Sequence, residues 1–341
     1  MINLRNDYSG IAHKEILEEM IKLQEKTFVG YGLDEISKEA ENLILKQVKN
    51  ENSKVYFLNG GTITNKVFIS HVLKPYEAVI SVDSGHINVH ETGTIEQSGH
   101  KIITANHHNG KLDPIDIVRI VKTHTDEHMV KPKIVYITNA TEYGTIYSLN
   151  ELKEIYHVCK KHNLYLYLDG ARLGVALTSA NNDICLHDLG KYTDAFYIGG
   201  TKNGAILGEA LVVNNPILQE EMRYSIKHFG GMYAKGFVTG IQFKVLFEND
   251  LFFWIAKRQN ELALILKNGL LDLGVNFEIE SDTNQLFPIF SKEVVTKLSK
   301  HLMYEMWSDN DDFKTIRFVT HYLLDENDIN NVINIIKDAI K

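Results

Sequence analysis

The sequence predicts an α/β protein: a mainly parallel β-sheet covered by helices on both sides, followed by a small C-terminal α+β domain. Three observations carry that prediction. Short apolar runs alternate with helical patterns through the middle of the sequence, over about 150 residues. The runs are rich in Val, Ile, Tyr and Phe and do not strictly alternate, as befits strands buried on both faces. After about residue 214 the pattern changes, first to successive helices and then to short strands mixed with helices.

Taken in order, Lys54–Asn59, Ala78–Asp83, Lys101–Ala105, Ile134–Thr138, Leu164–Asp169 and Asp194–Gly199 read as the strands. Between them, Asp113–Lys122 and Ser148–His162 read as helices. In the second, Leu149, Leu152, Ile155, Tyr156 and Cys159 recur at spacings of three and four and make one apolar face. Pro216–Phe229, Gly236–Asn249 and Leu251–Leu273 read as further helices. Val275–Ile279, Gln285–Phe290 and Thr315–Thr320 read as strands, and Asp325–Ile340 as a final amphipathic helix. The expected organisation is an N-terminal arm over 1–20, a large domain over 21–249 and a small domain over 250–341. Neither repeats nor a Pro/Gly/Ser linker interrupt it.

Composition excludes several classes. With 36 basic and 44 acidic residues in 341, the net charge is −8, and no block of like charge is present. That balance argues against a nucleic-acid or anionic-membrane surface. No apolar run approaches the roughly 18–20 residues that span a bilayer. The N-terminus lacks the basic start and apolar core of a signal peptide. Cys159 and Cys185 form neither a disulfide framework nor a metal-type spacing. A cytoplasmic protein without disulfides or bound metal is the expectation.

Four clusters stand where strands of an open parallel sheet deliver their carboxyl ends, the usual place for a ligand. In Asn59-Gly60-Gly61-Thr62-Ile63-Thr64-Asn65, two glycines and a helix start suit an anion such as phosphate, with Thr62 and Thr64 as hydroxyl donors. The same letters also describe an ordinary strand-to-helix turn. The stretch is neither a nucleotide P-loop nor the Gly-x-Gly-x-x-Gly dinucleotide fingerprint. In Leu168-Asp169-Gly170-Ala171-Arg172, a carboxylate ending an apolar strand needs a partner, or it caps the next helix. Gly199-Gly200-Thr201-Lys202 ends the following strand with a lysine, one crossover later, so both ends can share a rim. In Ile316-Arg317-Phe318-Val319-Thr320-His321, an arginine sits inside an apolar strand of an arginine-poor chain. Its fork can bind a carboxylate bidentately or make a salt bridge at a domain interface.

Together the stretches GGTITN, DSGHI, LDGAR, GGTK and IRFVTH, in that order, resemble the threonine aldolase family. That family belongs to the aspartate-aminotransferase-like enzymes that use pyridoxal 5′-phosphate (PLP). The resemblance spans nearly the whole chain and implies a seven-stranded type of PLP-binding sheet. It implies that Lys202 forms the Schiff base with the PLP aldehyde and that Asp169 pairs with the pyridinium nitrogen. Gly60, Gly61, Thr62 and Thr64 are implied to cradle the phosphate, with Thr201 beside the lysine also on the cofactor. His86, in Ser84-Gly85-His86-Ile87, matches the histidine that stacks on the ring. Arg172 and Arg317 match the residues that grip the substrate carboxylate. Tyr31 resembles a tyrosine reaching toward a neighbouring subunit's site, implying a homodimer or homotetramer.

The implied reaction is aldol cleavage of L-threonine or L-allo-threonine to glycine and acetaldehyde. It requires the Cα–Cβ bond perpendicular to the cofactor ring, and a base for the β-hydroxyl proton. Other PLP reactions on a small amino acid, β-elimination or racemisation, would use the same cofactor sites. A non-catalytic ligand-binding module would need neither the strand-end lysine nor the arginine. Three departures from the family pattern stand out. Arg5-Asn6-Asp7 replaces Arg-Ser-Asp, and Asn6 can still donate to a carboxylate. Asn139-Ala140-Thr141-Glu142 replaces Asn-Thr-His-Asn, so the family histidine near the β-hydroxyl is absent and Glu142 and His86 become the candidate bases. Gly230-Gly231-Met232 leads to Tyr233 rather than arginine, with Lys235 nearby.

Overall fold

In the computed structural model, residues 1–310 and 312–341 are described. The strands in chain order are β1 (Ile2–Asn3), β2 (Lys54–Leu58), β3 (Glu77–Val82), β4 (Lys101–Ala105), β5 (Lys131–Thr138), β6 (Tyr165–Asp169), β7 (Ala195–Gly199), β8 (Glu209–Val213), β9 (Gln285–Leu286), β10 (Ile289–Ser291), β11 (Leu302–Met303), β12 (Glu305–Asp309) and β13 (Phe313–Val319). Seven of them form the central sheet in the order β2-β8-β7-β6-β5-β3-β4. All six strands expected in this region are present. The seventh, β8, was not foreseen; it is antiparallel to both β2 and β7. Every other pairing in the sheet is parallel. Because β8 is reversed, β2 runs in the same direction as β7, and the residues after β2, β3, β6 and β7 share one rim with the start of β8.

The continuous apolar runs have a direct cause. Alternate residues enter different cores: Leu166, Leu168, Val135, Ile137 and Phe196 pack on one face. Tyr167, Ile134, Tyr136, Tyr197 and Leu211 pack on the other. With both faces covered, β3, β7 and β8 are buried along their whole length and leave no position for a solvated side chain. Truncating a residue such as Leu168, which is fully buried, would cost about 2–5 kcal/mol. The helix over Leu149–Lys161 buries Leu152, Ile155 and Cys159 and is closed by a Ser148–Glu151 capping box.

Beyond the sheet, a third core gathers Leu4, Leu262, Leu266, Leu270, Ile316, Phe318, Ile329 and Val332. The helix Leu251–Asp272 belongs to two cores, because its start (Leu251, Phe252, Ile255) packs with the large sheet. The N-terminal segment also belongs here: β1 pairs in parallel with β11. The small antiparallel sheet runs β10-β13-β12, with β9 on the other end of β13.

Three expected elements differ. Pro216–Phe229 is a 3-10 turn over Pro216–Gln219 followed by a helix over Met222–His228, broken where Glu221 takes φ 54°. Gln285–Phe290 is interrupted by Pro288, which has no N–H for the ladder, and β9 and β10 lie on either side of it. Val275–Ile279 forms no strand, only a bridge between Phe277 and Pro288. Among the described residues, no helix is long and apolar enough to cross a membrane.

Candidate active site at the sheet rim

A cavity of about 390 Å³ opens at this rim, lined by Gly60, Gly61, Thr62, His86, Thr201, Lys202 and Glu209 among others. A larger concavity elsewhere, lined by His108, Lys111 and Glu151, does not contain this chemistry.

Lys202 follows β7. Burial and the positive charge of Arg172 lower its amine to a pKa of about 8, against the opposing charges of Asp7, Asp169 and Glu209. Asp169 ends β6, buried. Its Oδ2 accepts from Asn65 Nδ2 at 2.9 Å and from the Tyr136 hydroxyl at 2.7 Å. Its Oδ1 accepts from the Ala171 amide at 3.0 Å. The glycine after it is required by packing, since a Cβ on Gly170 would collide with the Tyr197 carbonyl of the next strand.

The helix Gly61–Val72 begins without a side-chain cap. Its first N–H groups are therefore open to an anion, with the helix dipole behind them. A Cβ on Gly61 would come within 2.9 Å of the Tyr197 hydroxyl. Thr62 lines the cavity, but Thr64 corrects the expectation: it is buried and its hydroxyl donates to the Gly60 carbonyl at 2.8 Å. Thr201 also has its hydroxyl engaged, donating to Glu209 Oε1 at 2.8 Å, while Glu209 Oε2 accepts from the Gly200 amide at 2.8 Å. Burial pushes Glu209 up to about 7, against the Thr201 and Gly200 hydrogen bonds and the Lys202 charge.

His86 stands on the cavity wall with Nδ1 2.9 Å from Glu91 Oε1. Burial disfavours its cation, but the Glu91 hydrogen bond and the charge of Asp169 outweigh burial, so its pKa is raised. Glu91 is itself buried and accepts from Asn65 at 2.8 Å, so one amide joins the Asp169 and Glu91 carboxylates. Glu142 does not line the cavity. Its Oε1 accepts from the His86 amide at 3.0 Å and its Oε2 from the Thr138 hydroxyl at 3.0 Å, which places it behind the His86 turn.

Arg172 and Arg317 differ. Arg172 is gripped by Asp7, Nε to Oδ2 at 2.7 Å and Nη2 to Oδ1 at 3.1 Å. Arg317 lies on β13, its guanidinium 5.9 Å from the Trp307 ring centre, and its Nε is buried without a partner. Asn6 uses its oxygen locally, accepting from the Tyr8 amide at 3.1 Å and the Ser9 hydroxyl at 2.7 Å. Tyr31 is not at this cavity: it is exposed, with Lys227 Nζ 4.8 Å from its ring centre, and lines another concavity with Arg223 and Met232.

The residues fit PLP. An amine held near neutrality and an uncapped helix start line one cavity, the buried Asp169 carboxylate ends the strand beside it, and the Arg317 Nε is buried without an acceptor. Sequence reading missed Asp7, Asn65, Glu91, Tyr136 and Glu209. Asp7 and Asn65 lay inside stretches already quoted, Arg5-Asn6-Asp7 and Gly60–Asn65, without a role of their own, and Glu91 had a local signal as an acid five residues after His86.

The model of the family described as Beta-eliminating lyase matches residues 3–293. The low specificity L-threonine aldolase of Pseudomonas sp. is 30% identical over 296 residues, covering 86% of this chain and 85% of that one. The Escherichia coli K12 protein of the same description is 26% identical over 329 residues, 94% of each chain. Among solved structures, a threonine aldolase of Leishmania major matches with a TM-score of 0.99 and 40% identity over 100% of both chains. An aspartate aminotransferase of Thermus thermophilus shares the fold at 14% identity and a TM-score of 0.73, over 99% of this chain and 91% of that one. A PLP-ready rim, a family match over most of the chain and a near-superposable relative lead to one conclusion: the chain belongs to the beta-eliminating lyase family, in its threonine aldolase branch, as a PLP-dependent lyase.

Proposed function

We propose that the protein cleaves L-threonine or L-allo-threonine to glycine and acetaldehyde. The observation that carries this reading is a lysine held near neutrality in the cavity and an arginine whose buried Nε has no protein partner, both near enough for their charges to bear on His90 of the cavity wall. An amine and a carboxylate clamp are the two points that hold an α-amino acid with one Cα bond out of plane.

When bound, PLP supplies a ring that withdraws electrons from the bonds at Cα. Lys202 is the nucleophile for covalent attachment, and burial, helped by the Arg172 charge, keeps part of its amine unprotonated. Asp169, oriented by Asn65, Tyr136 and Ala171, holds the proton of the pyridine nitrogen. The open start of the Gly61 helix, with Gly60 and Thr62, takes the phosphate. Thr201 acts through Glu209, fixing the loop that carries Lys202. His86, steadied by Glu91, is placed where it would help hold the cofactor as a hydrogen-bond donor, and Glu142 anchors its turn.

Arg317 takes the substrate carboxylate, assisted by the face of Arg172 not engaged by Asp7; the Asn6 amide nitrogen is the neutral donor beside them. The site then spans the large domain and the small one, with the boundary near residue 250. Exposed Tyr31, with Val29 and Leu33 also exposed beside it, supports a homodimer or homotetramer in which this segment meets a second subunit.

The test is a product assay of purified protein with threonine, allo-threonine and serine. Acetaldehyde with equimolar glycine is expected from the first two. Pyruvate or a D-amino acid in their place would move the activity to elimination or racemisation.

A further inference from the structure

We propose that His90 takes the β-hydroxyl proton during cleavage, an inference that rests on the aldolase reading above. The two histidines stand one turn apart at the ends of the short helix His86–Val89, the His90 amide donating to the His86 carbonyl at 2.9 Å. Spacing of i and i+4 puts both rings on one face, with centres 5.5 Å apart. Both rings line the cavity that holds Lys202.

Their surroundings divide the work. Glu91 holds Nδ1 of His86 and favours its protonated form. No protein hydrogen bond bears on the His90 ring among the described residues. Partial burial and the positive charges of His86, Arg317, Lys202 and Arg172 lower its pKa. A neutral imidazole with free nitrogens at the mouth of the cavity is a proton acceptor; a carboxylate-backed one beside it is a donor.

The other groups nearby are engaged. Glu142 lies behind the wall, and the Thr141 hydroxyl is paired with that of Thr145 at 2.7 Å. The Tyr143 hydroxyl is 3.0 Å from His107 Nε2. In the step assigned to His90, the β-oxygen loses its proton to an imidazole nitrogen. The freed O–H pair becomes the second bond of the aldehyde carbonyl. The Cα–Cβ bond breaks with its electron pair remaining on the glycine half.

The experiment compares holoenzyme carrying His90→Asn or His90→Gln with wild type. Threonine affinity should hold, and exchange of the glycine α-proton with D2O should persist, because neither needs a β-hydroxyl base. Acetaldehyde release should fall roughly a hundredfold or more, the usual contribution of a positioned base. Its decline as pH drops through the His90 pKa should vanish in the variants. In cofactor-free protein, NMR titration of the His90 ring should give a midpoint below the ordinary 6.5. Wild-type aldehyde release in both variants overturns the assignment, as does an equal loss of glycine exchange or an NMR midpoint above that of His86. Absence of acetaldehyde from wild type would sink the aldolase reading itself, before any variant is compared.

Discussion

On the sheet side of the cleft the strand-end carboxylates are answered. Asp169 has three donors, and Glu91 and Glu209 each accept at both oxygens. On the small-domain side, the Arg317 guanidinium has a buried Nε with no acceptor. A polar atom left unpaired in a protein interior typically costs about 1–3 kcal/mol, so a buried guanidinium donor without an acceptor is one an anionic ligand completes. The sheet wall is preorganised for a resident cofactor. The small-domain wall is unfinished until an anionic substrate arrives.

The largest effect that would break this comparison is at Lys202. At pH 7 roughly a tenth of an amine with a pKa of about 8 is unprotonated, against fewer than about one in a thousand for an ordinary lysine. Cofactor attachment should therefore quicken as pH rises toward about 8 and level off above it. Lys202→Ala should abolish the yellow absorbance band and all measurable turnover. A pyridoxyl group recovered on another lysine after reduction and digestion would reassign the site.

Asp169→Asn comes next. The floor around it should keep its shape, so PLP still binds, but turnover should fall about a hundred- to a thousandfold, the size of one lost preorganised electrostatic contact. Near-normal rates would mean that some other group holds the ring proton.

Arg317→Leu probes the opposite wall. Threonine should bind roughly ten- to a hundredfold more weakly, since a charge-assisted fork is worth about 1.5–3 kcal/mol. The yellow band should remain. Substrate-free protein should lose no thermal stability, because the substitution removes a buried donor that had no acceptor. A drop of several degrees in Tm would mean that the sheet wall and the small-domain wall are built alike after all.

The same contrast explains what was legible in the sequence. The sheet could be read because both its faces are buried, which forces unbroken apolar runs bounded by strand-end motifs. Lys202, Asp169, His86 and the Gly60–Thr62 turn came with those motifs. Strand β8 escaped although its Ala210-Leu211-Val212-Val213 run is apolar, because it follows the Lys202 loop directly with no helix between it and β7. Glu209 was lost with it. Asp7 and Asn65 escaped for a different reason, since their partners lie 165 and 104 residues away and no local pattern reports such a pairing. In the small domain, β12 reads Glu-Met-Trp-Ser-Asp, a half-exposed sequence with no periodic signature. Arg317 was visible only because arginine is scarce in this chain.

The smallest expected effect belongs to Glu142, which the sequence offered as a base. Burial raises its pKa, partly against its own backbone hydrogen bond, and the charge of Asp169 raises it further. Taken alone that would suit proton transfer. Geometry decides otherwise, because both oxygens are accepting, one from the backbone of His86 and one from Thr138. In Glu142→Gln one oxygen can still accept from the His86 amide, whereas the new amide nitrogen leaves the Thr138 hydroxyl to accept instead of donate. The loss is one ordinary hydrogen bond rearranged, about 0.5–1.5 kcal/mol of local order at the His86 turn. Acetaldehyde release should fall less than about tenfold, and glycine α-proton exchange should fall by the same factor, since a loosened His86 affects both. A hundredfold loss confined to aldehyde release would return Glu142 to the β-hydroxyl and make it a wall residue in the working enzyme.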